Sequence, residues 1–218
     1  MYLFSRITFN GVIKRFILAD LMLWAGWGLI APIFAVFVLN QVQGATVVTL
    51  GIVAALYWIL KSIIQIPVAF AIDRTTSERD DYLMLVISLI LGGFTAFSFI
   101  LVRELWQLYL VESLHAISFA LYIPAWSGMF ARHLDSRHRA LEYALDSAAV
   151  GIAMGVTGLV GGVLVNSLGF SAVFLIASVL CFISAIIIFY SPDIIFPHRR
   201  RDPSTLSVTD HTPRNLGK

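Results

Sequence analysis

The stretch TVVTLGIVAALYWILKSIIQIPVAFAI, residues 46–72, runs for 27 residues with one charge, Lys61. A hydrocarbon core about 30 Å thick is crossed by about 20 residues of helix at 1.5 Å each, so this stretch is long enough to span one. Helix is the regular structure open to it. Backbone amides in hydrocarbon must be paired within the segment, and barrel strands would be about 10 residues long with strict alternation, which is absent here. Five more stretches have the same character, so the expected spans are 16–39, 46–72, 82–102, 105–130, 140–166 and 169–190. The fold class expected is an all-α polytopic membrane protein with six transmembrane helices. A cytoplasmic segment, 1–15, precedes them, and a polar, basic tail, 191–218, follows and is expected to be disordered.

Composition agrees. Of 218 residues, 59% are apolar and 13% charged, against about 45–50% and about 25% in soluble domains. A water-soluble globular domain, a disordered protein and a disulfide scaffold are excluded. Cys181 has no internal partner and lies in an apolar run, where it reads as a small hydrophobe. The first apolar run is too long for the 7–15-residue core of a cleaved signal peptide, so it is expected to be retained as the first span.

Charge alternates from loop to loop. Arg6, Lys14 and Arg15 precede the first span; Arg74 and Arg79 follow the second; Arg132, Arg137 and Arg139 follow the fourth; Arg199, Arg200, Arg201, Arg214 and Lys218 follow the sixth. Thirteen of the fifteen basic residues thus fall on one side, Arg103 falls on the other, and Lys61 lies within a span. Basic loops stay in the cytoplasm, so both termini are expected inside a multi-pass protein of the bacterial inner or plasma membrane type. Trp106 reads as an interfacial anchor.

Polar groups in hydrocarbon are costly, and each begins as a candidate site residue. Asp20, Trp24 and Trp27 share a face of the first span at offsets of four and seven. Tyr57 and Lys61 lie four apart on the second. Glu112, His115, Phe119, Tyr122 and Trp126 form a polar and aromatic stripe along the fourth. Asp146 lies two turns into the fifth. The third and sixth spans have no ionisable residue in their middles. Structural readings stand beside the functional ones: Lys61 can snorkel or pair with Asp20 or Asp146, Asp20 can sit near the interface, and the tryptophans and His115 can be packing residues. Glu112 is the hardest to assign to structure, with no Lys or Arg within four residues and His115 as its one local partner. A carboxyl and an imidazole so placed can exchange a proton, so Glu112 is the candidate for proton coupling. The fifth span also carries Gly151, Gly155, Gly158 and Gly162, small-residue spacings that suit close packing, within the bundle or between two bundles.

The second span ends in Val-Ala-Phe-Ala-Ile-Asp-Arg-Thr-Thr-Ser-Glu-Arg, residues 68–79. This resembles the loop between helices two and three of the major facilitator superfamily, Gly-x-x-x-Asp-Arg-x-Gly-Arg-Arg. Asp73 and Arg74 match it; Ala69 and Thr76 stand for its glycines, and Ser77 and Glu78 for its paired basic residues. Ile123-Pro124-Ala125 is similar to the proline-alanine pair of that family's fourth helix, and Asn166-Ser-Leu-Gly-Phe170 to its turn before helix six. Glu112 departs from the family, standing where an arginine is usual. The resemblance covers about 16–190, one six-helix repeat where the family usually has two.

The resemblance implies secondary active transport of a small solute by alternating access. It also implies a cavity lined by helices one, two, four and five, with Asp73 and Arg74 as a conformational loop clamp. Because the family's two halves are parallel repeats, a homodimer or a pairing with a second six-helix half would rebuild the whole. The competing readings are a non-transporting membrane subunit or truncated remnant of a longer carrier and, more distantly, an intramembrane enzyme. No phosphate-binding loop, zinc-ligand spacing or nucleophile elbow occurs. The expected partners are the lipid bilayer, an unidentified small-molecule substrate and protons. No cofactor, no metal, no nucleic acid and no enzymatic activity are expected.

Overall fold

The structure, a computed structural model, describes residues 11–74, 78–134 and 138–191. What was read from Arg6, Thr76, Ser77, Arg137 and residues 192–218 lies outside them. Within them the chain is almost wholly helical: α1 (Gly11–Ile30), α2 (Phe34–Gln41), α3 (Val47–Arg74), α4 (Glu78–Ser98), α5 (Leu105–His133), α6 (Arg139–Leu168) and α7 (Phe170–Phe189). A 3-10 turn, Phe99–Leu101, extends α4. Five of these helices are long and apolar enough to cross a membrane, and a sixth crossing is made if α1 and α2 count as one bent span.

The run read as a single first helix, 16–39, is divided. α1 and α2 meet at 44°. Pro32 lies in the break; it has no N–H to give, and its ring clashes with the carbonyl four residues back. The ladder ends with Ala31 N–H on the Trp27 carbonyl at 2.9 Å. It tightens to Ile33 N–H on Ile30 at 3.1 Å, then restarts with Phe37 N–H on Ile33 at 2.8 Å.

α1 packs on α6 and α7, α3 on α5, and α4 on α5 and α7. These five pairings have a hidden order. Exchanging the first three spans (α1–α2, α3, α4) with the last three (α5, α6, α7) turns α1·α6 into α3·α5 and α1·α7 into α4·α5, and leaves α4·α7 in place. The helix contacts of the first three elements so grouped thus correspond to those of the last three.

Close approach holds it together. In lipid there is no hydrophobic drive between helices, and small residues and hydroxyls take its place. At the α1–α6 crossing a Cβ on Gly28 would lie 2.9 Å from the Met154 Cα, and a Cβ on Gly161 would run into the Leu29 carbonyl. Hydroxyls bridge the other seams. Ser184 donates to the Ala19 carbonyl at 2.7 Å, Ser178 to Gly93 at 2.9 Å, and Ser118 to Ser88 at 2.8 Å. At one end Arg132, in the last turn of α5, pairs with Asp81 and with Glu78 (3.7 Å) in the first turn of α4. At the other, Glu104 and Gln107 form a capping box that starts α5, and the exposed Trp106 indole donates to Glu104 at 2.6 Å.

Two helices are covered far less than the other long ones within this chain: α3 exposes Ile52, Ile59, Ile63 and Ile66, and α6 exposes Ile152, Val156, Leu159 and Val163. Gly151, Gly155 and Gly162 have open space where a Cβ would stand, and Gly158 comes within ordinary contact of the Gly28 carbonyl, at 3.7 Å. Packing inside the bundle therefore falls to Gly161 and, more loosely, to Gly158. Gly161→Val is expected to lower stability by about 1–3 kcal/mol, the usual cost of overpacking. Gly155→Val should leave the bundle's stability within about 0.5–1 kcal/mol of the parent, the scale of a helix-propensity change. Unfolding followed by circular dichroism in detergent measures both.

Candidate functional site

The face of α1 carrying Asp20, Trp24 and Trp27 looks onto the stripe of α5. The two helices approach closely at only a few points, so side chains fill the gap. The Trp27 indole stacks on the His115 imidazole, with ring centres 3.8 Å apart and planes 4° from parallel. Trp24 and Trp27 both meet Phe119 edge-on at 5.6 Å. From α3, Tyr57 leans on the other side of His115 at 4.5 Å. The i, i+3, i+4 geometry of each helix sets these residues on one line, and the two lines interdigitate.

Glu112 lies at one end of this stack, 5% exposed. Its Oε1 is 3.2 Å from His115 Nδ1. Its Oε2 has no hydrogen-bond partner among the described residues, nor has Trp27 Nε1. A buried polar atom left in this state is costly.

Between these groups lies a cavity of about 230 Å³. Trp24, Trp27, Tyr57, Glu112, His115 and Phe119 line it, and so do Ile30, Ala31, Phe34, Phe99 and Met154. α7 contributes nothing to the lining, and the third span contributes only Phe99, in the 3-10 turn that extends α4; neither span has an ionisable residue in its middle.

A second cluster adjoins it. The buried Tyr122 hydroxyl donates to Asp20 Oδ1. Asp146 of α6 comes close enough for the two carboxyls to interact. Asp20, 4% exposed, and Asp146, 6% exposed, are thus both inside the bundle. Trp24, one turn along α1 from Asp20, lines the cavity and so links the two clusters along that helix.

The remaining candidates lie apart. Lys61, one turn beyond Tyr57, rests its ammonium 4.3 Å from the Trp58 ring centre and 5.4 Å from that of Tyr57; it pairs with neither Asp20 nor Asp146. Trp126 stacks on Phe130 at 4.5 Å, outside the cavity. Asp73 and Arg74 are exposed at the end of α3, and the Arg74 guanidinium lies 4.2 Å over the Phe70 ring. Reading the sequence for polar groups overlooked Ile30, Ala31, Phe34, Phe99 and Met154. They carry no charge or spacing that separates them from other apolar residues; the proximity of Ala31 and Phe34 to Pro32 was the available signal.

The arrangement can surround a small molecule with aromatic side chains and offer it one carboxylate oxygen, with two further buried carboxyls close by. Against known proteins, the description "Major Facilitator Superfamily" belongs to the family profile that matches residues 16–215. No curated protein matches the chain. Solved structures do. One is the in meso crystal structure of the POT family transporter PepTSo, with a TM-score of 0.69 at 14% identity, covering 90% of this chain and 41% of that one. At that identity the likeness is one of fold, and this chain spans well under half the length of that structure. With 200 of its 218 residues inside the family profile, the chain belongs to the Major Facilitator Superfamily, a family of membrane transporters.

Proposed function

We propose that the chain works in secondary active transport of a small solute by alternating access, as one six-helix half paired with a second copy or with another half. The observation that carries this reading is the sparse covering of α3 and α6. Ile52, Ile59, Ile63 and Ile66 on one helix and Ile152, Val156, Leu159 and Val163 on the other are exposed. The helices that contribute Tyr57 and Met154 to the cavity are also the two with the least buried spans. A second bundle seated on them would close the cavity toward lipid. The half-length match to PepTSo fits the same picture. In this arrangement both termini are cytoplasmic, in a cell membrane, α1–α2 makes one crossing of six, and Asp73 and Arg74 find their clamp partners across the interface.

Glu112 is the proposed coupling residue. A proton carried there, in exchange with His115 at 3.2 Å, alters the charge facing the solute and with it the balance between outward- and inward-open states. Asp20 and Asp146 form the second protonatable pair, held by Tyr122.

A second reading, a non-transporting membrane subunit, draws on the same partial coverage of the structural neighbour. It predicts a monomer in lipid with no uptake of its own.

Two measurements decide. In proteoliposomes under an imposed pH gradient, screened over labelled solutes, the parent chain should show uptake that follows the gradient and Glu112→Gln should lose that dependence. Uptake unchanged in Glu112→Gln would remove the coupling role. Crosslinking in lipid should trap a dimer. Gly151→Leu with Gly155→Leu should shift it to monomer at unaltered bundle stability, because open space stands at both positions.

A further inference from the structure

Resting on the transport reading, the chemistry of the cavity narrows the solute. We propose that it takes a compact organic cation, such as a quaternary or protonated amine, held between aromatic faces and the free oxygen of Glu112.

The walls make the first argument. Trp24, Trp27, Phe34, Tyr57, Phe99 and Phe119 supply six aromatic side chains around a cavity of about 230 Å³. Ring faces carry negative charge density and attract a cation within about 6 Å of the centroid. The volume is below the range of about 300–1,000 Å³ usual for drug-sized ligands, which sets the occupant as compact.

The charges make the second. Glu112 is 95% buried and lines the cavity, and its Oε2 is unpartnered among the described residues. A buried carboxylate oxygen without a donor is costly; a protonated amine supplies the missing N–H, and a quaternary ammonium, which has none, supplies a compensating positive charge. An anion would meet this carboxylate and the ring faces, both repulsive to it. A neutral apolar molecule would leave the oxygen unpaired.

The neighbouring ionisable groups favour the same sign. His115 is the one basic residue on the lining, and its ring is committed to the stack with Trp27 at 3.8 Å. The Lys61 ammonium lies against Trp58 at 4.3 Å and is not part of the lining. Asp20 and Asp146, adjoining through Trp24, add carboxyls rather than bases.

The test is equilibrium binding to the full chain in lipid nanodiscs with no gradient imposed. The probe is radiolabelled benzyltrimethylammonium. The competitors are its uncharged isostere neopentylbenzene and the anion 3-phenylpropionate. Saturable binding is expected, displaced by unlabelled probe and by neither competitor. Glu112→Gln should weaken it roughly ten-fold or more, Glu112→Asp should recover part of the loss, and Trp27→Leu should weaken it roughly two- to thirty-fold. Absence of saturable binding, equal displacement by neopentylbenzene, or undiminished binding by folded Glu112→Gln would overturn the proposal. Should Glu112→Gln fail to fold, the competitor series decides alone. Cation binding without any uptake would fault the transport reading and leave this site standing. Uptake of another solute without cation binding would remove this inference alone.

Discussion

The bilayer interior offers no water to a backbone amide, and the molecule is organised by that lack. Every long apolar run has to satisfy its own N–H and C=O groups, so each becomes a helix. Once all the surfaces are apolar, burying one against another gains little over leaving it in lipid. What remains is geometry: how near two backbones can come, and which hydroxyl reaches the neighbouring carbonyl. The contact of Gly161 with the Leu29 backbone and the bond from Ser184 to Ala19 are the two forms this takes where α1 is gripped by α6 and α7.

That grip decides where the polar residues go. With α1 fastened to α6 and α7 and α5 to α3 and α4, the line between α1 and α5 is left with close backbone approach at only a few points, and the cavity opens along it. The correspondence of helix contacts puts α1 and α5 in matching places, each the first long helix of its group of three. The acidic and aromatic faces of these two helices meet. Glu112 and Asp20 sit on those two helices, and each is answered by a ring or hydroxyl of the other: Trp27 against the His115 that contacts Glu112, and Tyr122 on Asp20.

Much of this is legible in the amino-acid order. Runs such as 46–72 announce helices because hydrocarbon leaves them no alternative. The offsets along α1 and α5 place Asp20, Trp24, Trp27, Glu112, His115 and Tyr122 on faces, and those faces do meet. Three features resist such reading. Pro32 stands in plain view, but apolar residues continue on both sides of it, and hydropathy alone does not register a break. The glycines of α6 look equivalent in spacing, whereas contact with α1 selects Gly161, because only the crossing point distinguishes one small residue from the next. Lys61 shares a face with Tyr57, yet its long stem carries the ammonium out over Trp58, away from the carboxyls. A helical wheel gives direction around an axis and says nothing of reach.

The break at Pro32 has a mechanical meaning. Ala31 lies within it and Phe34 begins α2, and both border the cavity together with Trp27 on the near side. A rigid helix would transmit any tilt along its whole length; a jointed one confines it to the eight residues of α2. The wall that Phe34 gives the cavity therefore belongs to a short helix set 44° away from α1, and the width of the chamber at that end follows from this angle.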